Sequence, residues 1–202
     1  MAAAPPPTPP LPSTPPQPST PPQPSTPPPQ GFPPEDKDWT WILDRSCPEC
    51  GFDPSEHPRD GLGDDTRAVA VSWGARLRAG GVRARSRPDR WSTLEYGCHV
   101  RDVFRLADER VGLLLAEDTP VFANWDQDET AVADRYDLQD PEVVADELVT
   151  AAGIFAERLD GVSGAAWERP GHRSNGSPFT VESLSRYILH DPVHHLWDVT
   201  GD

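Results

Sequence analysis

The chain has 202 residues and a net charge of -15. Seventeen of its 26 prolines stand in the first 34 positions, where Asp, Glu, Lys and Arg are absent; that composition excludes a packed core there and leaves residues 35–202, a length suited to one domain around one hydrophobic core. So acidic a chain repels nucleic-acid phosphates and anionic headgroups, which disfavours unspecific nucleic-acid binding and a basic membrane-surface role.

The expected partners are small molecules, neutral or anionic, an anion being met at a local cation. No apolar run is long enough to span a bilayer, and the N-terminus has neither the positive charge nor the apolar stretch of a secretory signal. Three cysteines, Cys47, Cys50 and Cys98, are too few and too odd in number for a disulfide framework, so a soluble, cytoplasmic protein is expected.

Residues 12–30 repeat Pro-Ser-Thr-Pro-Pro-Gln nearly in register. Proline fixes φ and removes a donor, so residues 1–34 read as a disordered tail of polyproline II character. Its PxxP spacings would suit a Pro-binding module, although no Arg or Lys flanks them as a charge anchor.

Next comes Cys47-Pro48-Glu49-Cys50-Gly51, a turn that aims two thiols at one point, as in a zinc knuckle. A structural zinc needs two more ligands, and the nearest offers, His57 and Cys98, have neither the customary spacing. A redox pair or a packed turn are the other readings.

Four helices follow. Asp64 or Asp65 can cap a first run through Ala70, Trp73 and Leu77, ended by Gly80-Gly81. Ser92-Thr93-Leu94-Glu95 is a capping box opening a second, with Val100, Val103, Phe104, Ala107, Val111 and Leu114 on one face. The connection from Glu117 to Asp140 has little periodicity, and its acidic stretch Trp125-Asp126-Gln127-Asp128-Glu129 is either a solvated loop pinned by Trp125 or the rim of a binding cavity. Asp140-Pro141 starts a third helix by N-cap and N1 proline, stopped by Gly161. Gly171 to Gly176 reads as a short hairpin or tight loop, and Thr180 caps a fourth helix running toward Trp197. The fold class is therefore all-α: a four-helix bundle with a long crossover between its second and third helices, a short hairpin-like loop before the fourth, and little other strand.

Three of six histidines crowd into Leu189-His190-Asp191-Pro192-Val193-His194-His195. On a helix His190 and His194 lie one above the other and can share a metal ion. His99, early in the second helix, is the third ligand if those two helices run antiparallel, which the long crossover permits by letting the third helix restart in the direction of the second. Asp191-Pro192 can instead begin a fresh helix, which would put His190 off the face of His194, or Pro192 can sit inside a continuing one. His195 points about 100° away and reads as a packed or surface residue. Asp102 and Asp198 are candidates to orient the imidazoles, and Arg101 and Arg186 to anchor an anionic substrate.

His99, the His190/His194 pair, and Arg173-Ser174-Asn175-Gly176 leading into Phe179-Thr180-Val181 resemble the DinB and mycothiol-dependent maleylpyruvate isomerase superfamily, over about Trp91 to Val199. The resemblance implies a four-helix bundle with the crossed connection, a continuous last helix, and a divalent metal, zinc or else Ni, Co or Fe, at His99, His190 and His194. It implies an enzyme that activates a low-molecular-weight thiol such as mycothiol, or water, for transfer, isomerisation or hydrolysis. The other reading is a non-catalytic bundle that binds metal or a small ligand. A homodimer is compatible with either. Cys47 and Cys50 lie outside the family's pattern.

Overall fold

In the computed structural model the described residues are 1 and 38–201, so the expected Pro-rich tail lies outside them. Five helices are present: α1 (Leu62–Arg78), α2 (Thr93–Ala116), a short α3 (Gln127–Ala133), α4 (Pro141–Asp160) and α5 (Val181–Thr200). The four long ones form the bundle. Each of α1 and α2 packs against both α4 and α5, so the helices follow one another around the bundle as α1, α4, α2, α5. Trp73, Phe104, Leu148, Phe155 and Leu184 are fully buried between them.

The local signals act as their chemistry dictates. Ser92 accepts from the backbone N–H of Glu95 while the Glu95 carboxylate accepts from Ser92 N–H, closing the capping box. Thr180 does the same with Ser183 at the start of α5, and Asp140 caps α4 ahead of Pro141. At α1 the N-cap is Gly61, with no side-chain cap. Asp64 and Asp65, expected as caps, sit in the first turn, where their charge favours the positive end of the helix dipole.

Ion pairs fix the helix directions. Arg101 meets Glu147 near the starts of α2 and α4, and Arg158 meets Asp108 toward their ends, so these two helices run parallel. Tyr96 lies on His195 and His99 beside Asp191, so α2 and α5 are antiparallel. Both relations follow from the long connection crossing the bundle, as the sequence implies. Pro192 lies inside a continuous α5, which removes the alternative of a fresh helix at Asp191.

The connection holds more structure than its weak periodicity predicts. It contributes α3, capped by Asp126, and strand β1 (Val121–Phe122), which pairs in parallel with β2 (Pro170–Arg173); β2 forms the expected hairpin with β3 (Pro178–Thr180). A two-residue strand is too short to show alternation, and the hydrogen bonds from His172 N–H to the Pro120 carbonyl and from Ser174 N–H to the Phe122 carbonyl supply what its sequence does not.

Gly171 is the tight point of this sheet. A Cβ there would overlap Leu114 Cδ2, on a side chain that is fully buried, and sit 3.0 Å from the Pro120 carbonyl oxygen. Gly171→Ala is expected to cost about 1–3 kcal/mol by overpacking, read from the midpoint of urea denaturation.

Candidate metal centre

The early turns of α2 and the late turns of α5 face one another across a cavity of about 1020 Å³. His99 is buried at its wall, its ring stacked on Trp125 at 5.2 Å between centroids and 2° between planes. Its Nε2 lies 3.2 Å from Asp191 Oδ1, and the same oxygen lies 3.9 Å from His195 Nε2. The three residues offer ligand atoms that all fall within 4.8 Å of one another. His195 Nδ1 is 2.9 Å from Asp198 Oδ2, which leaves Nε2 turned to the cluster, and Arg90 in turn lies 3.3 Å from Asp198 Oδ1.

This set fits a divalent ion. Metal–ligand bonds of about 2.0–2.2 Å in a tetrahedron place neighbouring ligand atoms roughly 3.4 Å apart, and the two separations here bracket that value. Asp191 Oδ1 is buried and accepts no hydrogen bond among the described residues, despite its closeness to His99 Nε2. His99 Nε2 instead makes a long hydrogen bond, 3.5 Å, to Asp191 Oδ2, which leaves the buried Oδ1 with capacity for an ion. Burial would raise the Asp191 pKa, but the charges of His99 and His195 and the His99 hydrogen bond outweigh it and hold the carboxyl well below its ordinary range. The set offers one carboxylate and two imidazoles.

The three imidazoles expected on one ion are divided between two groups. His99 joins Asp191 and His195, whereas His190 and His194 join Cys47 and Cys50. The reason is the helical period: each residue turns the side chain by about 100°, so the Asp191/His195 stripe faces α2 while the His190/His194 stripe faces the segment before α1. His195, read as a packed or surface residue, is thus in the cluster beside α2. The signal was present, since Asp191 and His195 are also four apart.

The supporting residues shift similarly. Asp198 serves His195 directly and reaches His194 Nε2 only at 4.0 Å. Asp102 is turned away from His99 and accepts from Arg101, Arg105 and the Tyr136 hydroxyl. Arg101 is buried on Asp102, Glu147 and Gln139, and Arg186 binds Glu182 and the His57 carbonyl, so neither expected anchor lines the cavity. Its cations are Arg90, Arg110 and Arg173. Burial, with Arg173 nearby, lowers the Arg110 pKa to about 10. Trp125, Asp126, Gln127 and Asp128 do line the cavity, as the rim reading of that acidic stretch requires.

A profile of the DinB superfamily matches residues 62–199. The chain belongs to this superfamily. Among solved structures, YfiT from Bacillus subtilis, described as a probable metal-dependent hydrolase with an unusual four-helix bundle topology, aligns with a TM-score of 0.65 at 18% identity, covering 71% of this chain and 84% of its own. The likeness establishes the DinB fold. No curated protein matches the sequence. The matched span contains His99, Asp191 and His195 but begins after Cys47 and Cys50.

Asp102 separates structural from metal-orienting roles. Burial would raise its pKa, yet hydrogen bonds from Arg101 and Tyr136 and the charge of Arg101 hold it below the ordinary value. A depressed folded value stabilises above the unfolded pKa and is lost as pH falls through the folded one. Asp102→Asn is expected to cost about 1–3 kcal/mol at pH 7 by removing one of the two carboxylates paired with buried Arg101, with the difference from the parent shrinking below about pH 4, and to leave metal content unchanged. Denaturation across pH, with metal analysis of the same samples, measures both.

Proposed function

We propose that this DinB protein is a metal-dependent enzyme whose ion is held by His99, Asp191 and His195. The observation that carries the reading is the convergence of two imidazole Nε2 atoms and an unsatisfied carboxylate oxygen at the wall of a large cavity. Two imidazoles and one carboxylate are a catalytic zinc set, three protein ligands leaving a position for water or substrate. An ion bound there supplies Lewis acidity and brings the pKa of a coordinated water or low-molecular-weight thiol toward neutrality.

The protein's own groups do the rest. Asp198 accepts the His195 Nδ1 proton and fixes that ring's tautomer. Trp125 stacked on His99 and Tyr96 on His195, at 4.6 Å, restrain both rings and keep bulk water from their faces. Arg110 and Arg173 line the cavity, and among the described residues no carboxylate lies within ion-pair distance of either. Each has a buried Nε with no hydrogen-bond partner there. In a chain of net charge -15, two guanidiniums left without acids select an anionic substrate group. The reaction is hydrolysis, or transfer or isomerisation with a thiol of mycothiol type; the description of YfiT as a probable hydrolase favours water as the nucleophile.

Replacing His99, Asp191 or His195 by Ala is expected to remove one metal equivalent per chain and any metal-dependent turnover. Full stoichiometry in all three variants would remove this site from consideration. Screening the zinc-loaded protein against activated esters without thiol, and against electrophiles with a low-molecular-weight thiol, separates the two nucleophiles. Asp198→Asn should weaken metal binding about 10–100-fold.

Arg173→Gln should raise KM for an anionic substrate roughly tenfold or more, with kcat nearly unchanged, because it removes a charge-assisted contact common to ground and transition states. Steady-state kinetics on a matched anionic and neutral substrate pair checks it.

A further inference from the structure

A second cluster shares no residue with the first, although its His190 and His194 also line the cavity. Cys47, Cys50, His190 and His194 place two sulfurs and two ring nitrogens within 4.8 Å of one another. Cys47 Sγ lies 3.7 Å from His194 Nδ1. With Zn–S of about 2.3 Å and Zn–N of about 2.0–2.1 Å, a tetrahedral S–Zn–N angle spans roughly 3.6 Å. The spacings in the chain are C-x2-C and H-x3-H, the two halves of a Cys2His2 set.

The surroundings are built for these donors. Cys47 N–H donates to the Phe52 carbonyl at 2.8 Å and Gly51 N–H to the Cys47 carbonyl at 2.9 Å, with Gly51 at φ +76°, where glycine is favoured. These bonds close the turn that brings both thiols to one side. Glu49, inside the same turn, lies 3.4 Å from His194 Nε2. A carboxylate near that nitrogen favours the tautomer with its proton there, which leaves the Nδ1 lone pair facing Cys47. Trp39 and Phe52 cover His190 at 5.4 Å each between ring centroids, and Trp39 covers His194 at 5.0 Å. Cys47, His190 and His194 are 2%, 4% and 7% exposed.

We propose that Cys47, Cys50, His190 and His194 bind a zinc ion as a closed, structural site. Four protein donors fill a tetrahedron and leave no position for substrate, in contrast to the three-donor centre next to it. The ion fastens the segment before α1 to the last helix, and that segment supplies Asp38, Trp39 and Glu49 to the cavity wall. Half of the ligand set precedes the residues that match the DinB profile, so the clasp draws on sequence outside the matched span. Binding releases the two thiol protons and changes no oxidation state.

The test uses the full-length protein loaded with zinc and, in parallel, with cobalt(II). Two metal equivalents are expected, with sulfur in the X-ray absorption shell and a thiolate-to-cobalt charge-transfer band in the near ultraviolet. Cys47→Ser and Cys50→Ser should each lose one equivalent together with the band. His99→Ala should lose the other equivalent and keep the band, so failure of this site and failure of the catalytic reading are told apart. Absence of sulfur and of the band in the parent protein overturns the proposal, as does persistence of the band in both cysteine variants. Where a cysteine variant does not fold, thiol counting on the parent decides: two thiols should become reactive only after a chelator strips the zinc. Two thiols already reactive in the zinc-loaded protein, or a Cys47–Cys50 disulfide in it, would refute it.

Discussion

The rotation of about 100° per residue along α5 is the constraint on which the rest depends. Within six consecutive residues it separates four metal-capable side chains into two stripes. Asp191 and His195 turn to α2, and His190 and His194 turn to the knuckle. The two sets stay close, with His194 and His195 rings 5.9 Å apart, yet they cannot exchange roles without rotating the helix. That rotation is resisted by Leu184, Ile188 and Leu189, which are buried on the same helix, and by the Trp73 indole N–H, which donates to the Pro192 carbonyl at 2.9 Å. A proline inside the helix is tolerated here because the packing on either side already fixes its course.

Most of the bundle was legible because its signals are local. Ser92 with Glu95, Asp140 with Pro141, and Thr180 announce helix starts through groups that satisfy free N–H donors within three residues. The length of the connection permitted the crossing, and the family resemblance implied it. What could not be read was β1, whose pairing with β2 depends on residues some fifty positions away, and the short α3, whose seven residues show little periodicity.

The site was half legible for a different reason. A pair four apart on a helix is visible in sequence, but two such pairs in adjacent registers are equivalent until a partner element selects between them. His99 was identifiable from its place in the capped helix, and Asp191 and His195 became its partners only when α2 lay beside α5. The same blindness hid the completion of the knuckle. His57 and Cys98 were nearer in sequence, but His57 stacks on Phe52 and pairs with Asp65, and Cys98 points to Gln139 and the Tyr136 carbonyl. Arg101 failed as an anchor because Asp102, Glu147 and Gln139 already occupy its donors, whereas Arg110 and Arg173, unremarkable in sequence, reach the cavity with donors to spare.

The proposed pairing of a closed and an open centre would resolve a conflict inherent in a large cavity. Space for substrate removes packing from one side of the helices that line it, and two guanidiniums with no carboxylate within ion-pair reach among the described residues add an electrostatic cost to the empty state. Hydrophobic burial cannot offset this where the wall must stay open. The proposed tetrahedral clasp would add rigidity at one edge of the cavity, where His190 and His194 form part of its lining. The described residues before α1 form only 3-10 turns and rest on the bundle through buried Ile42 and Phe52; the proposed zinc would add to that packing. Placing Glu49 between the two cysteines makes one turn both a ligand platform and part of the cavity wall. Order at the proposed clasp would thereby reach the space that the Asp191/His195 stripe of α5 faces.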